Sequence, residues 1–484
     1  MNDQILQDAI ATLPAEIFRA YDIRGIFGQT LNIQWAELIG RAIGSEARAR
    51  HQQKLCVGYD GRLSSIALCD ALIRGLQYTG IDVINIGLAP TPALYYATYA
   101  TGTGSGVMVT GSHNPTDYNG FKIMLDKHTL SGSEMMDLFK RIKNQDLFSS
   151  DSIGEVFHQD LQEQYLQDIT DRHPLNSEQP LKVVIDCGNG VPGPWITDLL
   201  ARSGCEVIPL FCDVDGTFPN HHPNPEEPEN LKQLVSTVLE QQADIGLALD
   251  GDGDRLGVVT HSGTIITADQ LICLFADRLL DQIPEAEIVH DVKSSLSLRQ
   301  LIQSRGGKAT MWKCGHSMIK NRMRETGAPL GGEFSGHLFF ADRWFGFDDG
   351  LYSAIRLLSE LAVSNQNSDQ LFAAYPPPLA TPMINIQIAE QEKFGLIEKL
   401  TEQSYPDGTL YTIDGLRVEY QDGWFGIRAS NTTPVLTVRI EADNQDTLLR
   451  IQRILTNTLK LVDPGLQITE LAVTNDTNII NRDN

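Results

Sequence analysis

Ile245-Gly246-Leu247-Ala248-Leu249-Asp250-Gly251-Asp252-Gly253-Asp254-Arg255 is a short apolar run that breaks into three aspartates at alternate positions. An apolar run of this length, bounded by turn residues, is the pattern of a strand buried on both faces. In an extended segment alternate side chains share a face, so three carboxylates can converge on one point. The glycines between them let the backbone wrap closely. Left unneutralised, three such charges repel strongly. A hard divalent ion is the natural remedy, and Mg²⁺ keeps positions open for phosphate oxygen. A calcium EF-hand loop is excluded, because its sixth position is Arg255 rather than Gly and its twelfth is His261 rather than Glu.

Working outward, the same arrangement occurs three times. In the copy that holds the aspartates, a strand Val183 to Ile185 ends at Asp186. A helix near Trp195 to Arg202 follows, then a strand near Val207 to Phe211, then Ile245 to Leu249. An earlier copy has a strand Leu55 to Tyr59 ending at Asp60, a helix near Ser65 to Tyr78, and strands Val83 to Ile86 and Val107 to Val109. The last of these enters Thr110-Gly111-Ser112-His113-Asn114-Pro115. A later copy has Ile288 to His290 ending at Asp291, a helix near Leu296 to Gln303, a strand near Thr310 to Trp312, and a last segment entering Gly332-Glu333-Phe334-Ser335-Gly336-His337. Short apolar strands alternating with helix-period segments signal βαβ units and a mainly parallel sheet. Ligands of such sheets sit beyond the carboxyl ends of strands, where each copy places its Gly-rich segment. Three copies facing one cleft would bring Ser112, the aspartates and the Glu333/His337 loop together.

After Ala373 the pattern changes. Tyr375-Pro376-Pro377-Pro378 is a stiff connector. Beyond it the text reads strand (Met383 to Ile388), helix (Glu392 to Gln403), strands (Thr409 to Ile413, Arg417 to Tyr420, Leu436 to Ile440) and helix (Gln445 to Leu461), a separate α+β domain. The tail from about Val473 is polar and expected to fray. The fold class expected is therefore α/β, with three related domains (1–155, 156–257 and 258–372) and a smaller α+β domain (373–484) around a central cleft.

The chain has 484 residues, of which 42% are hydrophobic and 21% charged. That suits about three or four cores at ~100–200 residues each. A net charge of -24 opposes a nucleic-acid or anionic-membrane partner, and any phosphate ester must be met by local cations and a metal. Met1 to Ile10 has no apolar core of a signal peptide, and no apolar run approaches the ~18 residues of a membrane helix. The seven cysteines are scattered, with no C-x-x-C pair, which reads as reduced thiols and a cytoplasmic protein.

Ser112 stands in a tight turn after a strand, exposed for nucleophilic work. Positions 110 and 114 are Thr and Asn, so the G-x-S-x-G elbow of acyl transfer is absent. Glu333, Ser335 and His337 could bond sugar hydroxyls, and His337 titrates near neutrality, although a lone His is more often structural. Arg428-Ala429-Ser430-Asn431-Thr432-Thr433 offers a guanidinium, hydroxyls and an amide to a phosphate dianion; it also reads as a hydrophilic turn between Ile427 and Val435. Gly188-Asn189-Gly190-Val191-Pro192-Gly193 fits a dinucleotide fingerprint, with Asp213 downstream. Pro192 and Pro194 remove backbone donors that a pyrophosphate would need. No Walker A loop occurs, since Lys308 is followed by Ala309.

Together these motifs resemble the α-D-phosphohexomutases, in particular the bacterial phosphomannomutase/phosphoglucomutase group. Ala20-Tyr21-Asp22-Ile23-Arg24-Gly25, the Ser112 loop through Asn119-Gly120-Phe121-Lys122, Asp250 to Arg255, Gly332 to His337 and Arg428 to Pro434 occur in that family's order, across about residues 18–440. The resemblance implies four domains around a deep cleft and a reaction moving a phosphoryl group between Ser112 and either end of a hexose phosphate. It implies that Ser112 is the phosphoserine and that Asp250, Asp252 and Asp254 hold one Mg²⁺ with it. Arg24 and Arg255 would neutralise charge, Lys122 and His337 would be the general acid/base pair, and His113 would support Ser112. Glu333 and Ser335 would read sugar hydroxyls, and Arg428, Ser430, Asn431 and Thr432 would grip the non-reacting phosphate. Tyr21, Lys293 and His316 stand in segments that contact substrate. A hexose 1,6-bisphosphate would serve as activator and phosphoryl donor, and the enzyme would be a monomer or weak dimer. Phe334 where Met is usual, Cys314 where Thr is common and Thr433 at an often acidic position leave the sugar preference open. Competing classes are a phosphoglucosamine mutase, a dinucleotide-dependent oxidoreductase resting on Gly188 to Gly193, and a non-catalytic sugar-phosphate binding protein.

Overall fold

The computed structural model describes residues 3–175, 179–430 and 434–468. The chain forms two compact units. The first takes the described residues of Met1–Ala268, Met323–Glu325 and Ser335–Ala374; the second takes those of Asp269–Arg322, Thr326–Phe334 and Tyr375–Asn484.

The three copies read from sequence share one strand order. In the first unit, Lys54–Tyr59 lies between Asp82–Leu88 and Gly106–Val109, all parallel. A second sheet of that unit sets Lys182–Asp186 between Glu206–Leu210 and Ile245–Leu249, again parallel. In the second unit, Glu287–Asp291 lies between Lys308–Trp312 and Leu330–Gly332, parallel on both sides. Each copy thus puts its first strand centrally and its second and third strands on either flank, and each first strand ends at an aspartate or one residue before it.

The sheets are mixed rather than mainly parallel. Tyr118–Leu125 runs antiparallel to Gly106–Val109 and pairs on its other edge with Ile23–Ile26, also antiparallel. Leu256–Thr260 runs antiparallel to Ile245–Leu249. Both added strands return directly after a Gly-rich loop, where polar turn residues hide their starts. Their effect is to hold each loop from both ends.

The helices Ser65–Tyr78, Gly193–Arg202 and Leu296–Ser304 match the expected crossovers. The helices between second and third strands, Thr91–Ala100, Lys232–Gln241 and His316–Thr326, were not legible. Thr91–Ala100 is buried from Thr91 to Thr98, so it lacks the polar face that makes a 3.6-residue period visible.

After residue 374 an antiparallel sheet runs in the order Leu379–Ala380, Val435–Ala442, Gly423–Ala429, Leu416–Tyr420, Thr409–Tyr411, with Ile384–Gln387 also beside Val435–Ala442. The helices Lys393–Thr401 and Gln445–Val462 pack on it through Leu400, Ile451 and Leu455, against Val418, Phe425 and Val438. This is the expected α+β domain, with the strand Gly423–Ala429 added. Its two glycines, Gly423 and Gly426, mask the period-two alternation. No helix among the described residues is long and apolar enough to cross a membrane. All seven cysteines are free. The tail from Val473 lies outside the described residues.

Candidate active site

The site in the first unit is built where three strands end. Ser112 follows Gly106–Val109 and adopts a left-handed backbone, φ 49°, an uncommon conformation for a residue with a side chain. Its N–H donates to Thr110 Oγ1 at 2.8 Å. Its hydroxyl donates to Asp250 Oδ2 at 3.0 Å and lies 3.2 Å from His113 Nδ1. Burial first, then the nearby charges of Arg255 and Arg24, hold the His113 imidazole well below its usual range, so it stays neutral beside the nucleophile.

Asp250, Asp252 and Asp254 are fully buried at the end of Ile245–Leu249, and one oxygen from each lies within 4.8 Å of the others. Asp250 Oδ1 accepts from the backbone N–H groups of Gly253, Asp254 and Arg255 at 3.1–3.2 Å, which curls the loop around its own carboxylate. Lys122, on Tyr118–Leu125, reaches in with its ammonium 2.7 Å from Asp252 Oδ2 and also on Asp254. Thr91 donates to Asp252 Oδ2. Burial together with the charges of Asp254 and Asp252 pushes the Asp250 carboxyl well up. Burial would raise Asp252 as well, but Lys122 outweighs it and holds that carboxyl below its usual range.

One ammonium against three carboxylates leaves the cluster short of positive charge. Asp252 Oδ1 and Asp254 Oδ1 are buried without a hydrogen-bond partner. Hard oxygen donors, a negative excess and two unsatisfied carboxylate atoms in one place are what a divalent cation such as Mg²⁺ requires, so these residues fit the metal that the sequence led us to expect.

Cations surround this cluster. Arg24 stands on Ile23–Ile26 opposite Gly120 and donates to Gly111 O, Asn114 Oδ1 and Asp22. Tyr21, three residues before Arg24, is half-buried. Arg255 Nε donates to His337 Nε2 at 3.0 Å and lies 3.9 Å from Asp250 Oδ2. The His337 Nε2 is thus an acceptor, and its Nδ1 lies 3.1 Å from Asp348 and 3.6 Å from Asp254. Ser335 is half-buried in the turn before His337. Ser112, His113, Lys122, Arg24, Arg255, His337 and the three aspartates therefore meet.

The other described residues named from sequence lie in the second unit and form a group of their own. Asp291 is their hub: Lys293 Nζ lies 3.9 Å from it, and Cys314 Sγ and the Phe334 N–H both donate to it. Glu333 accepts from Gly315 N at 2.6 Å, beside His316. Asp414 accepts from Cys314 N and pairs with Arg428 at 3.1 Å. Lys293 and Arg428 also line a small cavity with Arg417, Trp424 and Arg439. Ser430 is buried and its carbonyl accepts from Lys393. Asn431 and Thr432 lie outside the described residues.

The dinucleotide-like loop has another use. Asn189 N donates to Phe211 O, Val191 N to Gly251 O and Gly193 N to Gly190 O. A Cβ on Gly190 would sit 2.8 Å from Gly251 O. The loop spends its donors on the protein and serves as a backing for the aspartate loop.

Four family models cover the chain in order: phosphoglucomutase/phosphomannomutase alpha/beta/alpha domains I, II and III match residues 15–147, 163–263 and 267–378, and the C-terminal domain matches 383–457. The chain belongs to the phosphoglucomutase/phosphomannomutase family. It is 51% identical over 458 residues to a phosphomannomutase/phosphoglucomutase of Pseudomonas aeruginosa, covering 94% of this chain and 98% of that one. It is 46% identical over 446 residues to a phosphoglucomutase of Neisseria meningitidis, covering 92% and 96%. A crystal structure of a phosphoglucomutase/phosphomannomutase family protein from Burkholderia thailandensis is similar at a TM-score of 0.89 and 45% identity, covering 94% of this chain and 99% of that one.

Several residues of the two groups were given no role from sequence: in the first unit Asp22 on Arg24, Thr91 on Asp252 and Asp348 beside His337, and in the second Asp414 on Arg428. Asp22 stood inside the quoted Ala20 to Gly25 segment, and Asp348 had a local signal. It precedes Asp349, whose side chain caps the helix Gly350–Ser364, and an acidic pair before an apolar helical run is legible as a helix start.

Proposed function

We propose that this chain interconverts hexose 6-phosphate and hexose 1-phosphate, with mannose, glucose or both as the sugar, through a phosphoserine at Ser112 and a hexose 1,6-bisphosphate. The observation that carries this reading is the Ser112 hydroxyl bonded to Asp250, at the edge of a carboxylate loop that fits a divalent ion and is ringed by Arg24, Lys122, Arg255 and His337. Phosphoryl transfer asks a protein for positioning and charge neutralisation more than for covalent chemistry, and this arrangement supplies both.

In one half-reaction the C1 or C6 hydroxyl oxygen forms a bond to phosphorus as the bond from phosphorus to Ser112 Oγ breaks. The sugar hydroxyl gives up a proton and the serine oxygen regains one; Lys122 and His337 are the groups placed to carry them. Arg24 and Arg255 bind the equatorial oxygens, and His113 keeps Ser112 oriented. Asp250, Asp252, Asp254 and Ser112 would hold one Mg²⁺, which supplies further charge neutralisation to the transferring group. The bisphosphate then turns end for end and returns its other phosphate to Ser112. Arg428, Ser430, Asn431 and Thr432 take the non-reacting phosphate, Tyr21, Lys293 and His316 add contacts, and Glu333 and Ser335 read sugar hydroxyls. The phosphoserine loop belongs to 1–155, the metal loop to 156–257, the sugar loop to 258–372 and the phosphate clamp to 373–484. A hexose 1,6-bisphosphate restores the phosphoserine when it is lost. The enzyme works in the cytoplasm as a monomer or weak dimer on free sugar phosphates.

Intact-mass spectrometry before and after incubation with glucose 1,6-bisphosphate tests this reading. One phosphoryl group should be gained and mapped to Ser112, and Ser112→Ala should gain none, fold normally and lose nearly all turnover. Substantial mutase turnover in Ser112→Ala would sink the assignment. Competition among mannose, glucose and glucosamine 1-phosphates separates the proposed substrates from the phosphoglucosamine alternative.

A further inference from the structure

Beneath the Ser112 turn lies a buried guanidinium that the mechanism above does not use. Arg62 stands two residues after Asp60, at the carboxyl end of Lys54–Tyr59, and is 2% exposed. It donates to four backbone carbonyls of one loop. Nη2 bonds Ser112 O at 2.7 Å and Asn114 O at 2.6 Å, and Nη1 bonds Pro115 O and, at 3.0 Å, Tyr118 O. Its Nε lies 3.2 Å from Asp60 Oδ2. The same carboxylate oxygen accepts from Thr110 Oγ1 at 2.8 Å and from Gly111 N at 3.1 Å.

The loop is shaped around this side chain. A Cβ on Gly111 would stand 2.4 Å from Arg62 Cζ and Nε, so the backbone runs too close to the guanidinium for any side chain there. The Phe218 ring lies 5.1 Å from Cζ. Ser112 is the residue with a left-handed φ in this turn, and such backbone persists only where its surroundings over-determine it. The planar five-donor fork of arginine can hold several carbonyls at fixed angles, which a lysine ammonium cannot reproduce.

We propose that Arg62, anchored by Asp60, is a positioning residue for phosphoryl transfer: by gripping the carbonyls of Ser112, Asn114, Pro115 and Tyr118 it holds the left-handed turn that aims Ser112 Oγ at Asp250. It does not touch the reacting atoms. Its contribution is to turnover rather than to sugar-phosphate affinity, because the phosphate-binding group assigned to ground-state binding lies elsewhere in the chain. This inference rests on the mutase reading.

The test is the rate at which Ser112 gains a phosphoryl group from glucose 1,6-bisphosphate, followed by intact mass, together with steady-state kcat and KM, in Arg62→Lys and Asp60→Asn. A misplaced nucleophile costs roughly a hundredfold in rate, so both variants should be phosphorylated at least about tenfold more slowly and lose kcat while KM stays within about threefold. Circular dichroism and the thermal midpoint show whether each variant is folded. A folded Arg62→Lys or Asp60→Asn that is phosphorylated at the parental rate overturns the inference, and so does a loss confined to KM. If neither variant folds, Arg62 belongs to the core rather than to turnover, and the inference falls. Failure of the parent protein to gain phosphate would instead sink the mutase reading, so the two failures are distinct.

Discussion

Lys122 brings one positive charge to a point where three buried carboxylates meet, and its ammonium serves only two of them. The aspartates were legible in the sequence because they stand together at alternate positions. Lys122 had no such local signal; only the family pattern named it. It comes from a strand that returns from the next loop, and a lysine in an apolar segment is ordinarily solvated. Thr91 and Arg62 likewise had no local signal, and they reach Asp252 and Ser112 from distant sequence positions. Asp252 is the member of the cluster most committed to a cation, with one oxygen on Lys122 and Thr91 and the other unpartnered. Asp252→Asn removes a charge from a set whose affinity depends on charge count. The midpoint of the Mg²⁺ activation curve should rise by about tenfold or more, and kcat should fall with it. A metal titration unchanged in midpoint would count against the cluster as the metal site.

At the scale of elements, the repeat explains why the loops lie where they do. Asp60, Asp186 and Asp291 each end or directly follow the central strand of a copy, and each ties down neighbouring backbone: Gly111, Gly188 and Phe334 N–H groups respectively. A carboxylate at that position organises the strand end, and the Gly-rich segment after the third strand carries the chemistry. The parallel strands were legible as apolar runs between turn residues. The antiparallel strand Tyr118–Leu125 was not, because Asn119-Gly120 right after its first residue reads as a turn. Gly120 is there because Ile23–Ile26 passes too close for a side chain: a Cβ would lie 1.8 Å from Ile23 O. Gly120→Ala must therefore push apart the two strands that carry Lys122 and Arg24. Overpacking of this kind costs about 1–3 kcal/mol, so its thermal midpoint should fall by several degrees. Activity should fall beyond what the unfolded fraction accounts for, since both cations shift. A variant with parental midpoint and kcat would show that the strand spacing is not set here.

For the whole molecule, a net charge of -24 sits alongside interior titratable groups whose protonation differs between folded and unfolded chains, and these shape its acid limb. His173 is pushed down to about 3 by burial and the charges of Arg356, Arg343 and Arg172, with its Nε2 2.7 Å from the Tyr352 hydroxyl. His290 is pushed down to about 4, chiefly by burial. Both are neutral when folded, while an unfolded chain protonates them below about pH 6.5. The unfolded state then binds more protons, so each histidine makes stability fall as pH drops from about 6.5 toward its folded value, by up to about 1.4 kcal/mol per pH unit. Asp349 acts oppositely. Burial raises it to about 7 despite hydrogen bonds from Tyr165, Trp344 and the Tyr352 N–H, so the folded state binds the extra proton between about pH 7 and 4 and gains stability as pH falls. Among these three groups the two histidines outweigh the carboxyl below about pH 6.5, so together they contribute a loss of stability on acidification. His173→Gln keeps a polar group facing Tyr352 and removes the titration, so its thermal midpoint should drop less than the parent's between pH 6.5 and 4.5, whatever its value at pH 7.5. Parallel midpoint curves for the two proteins would mean that His173 takes up its proton without opening the fold, and its neutral burial would then contribute nothing to the acid limb.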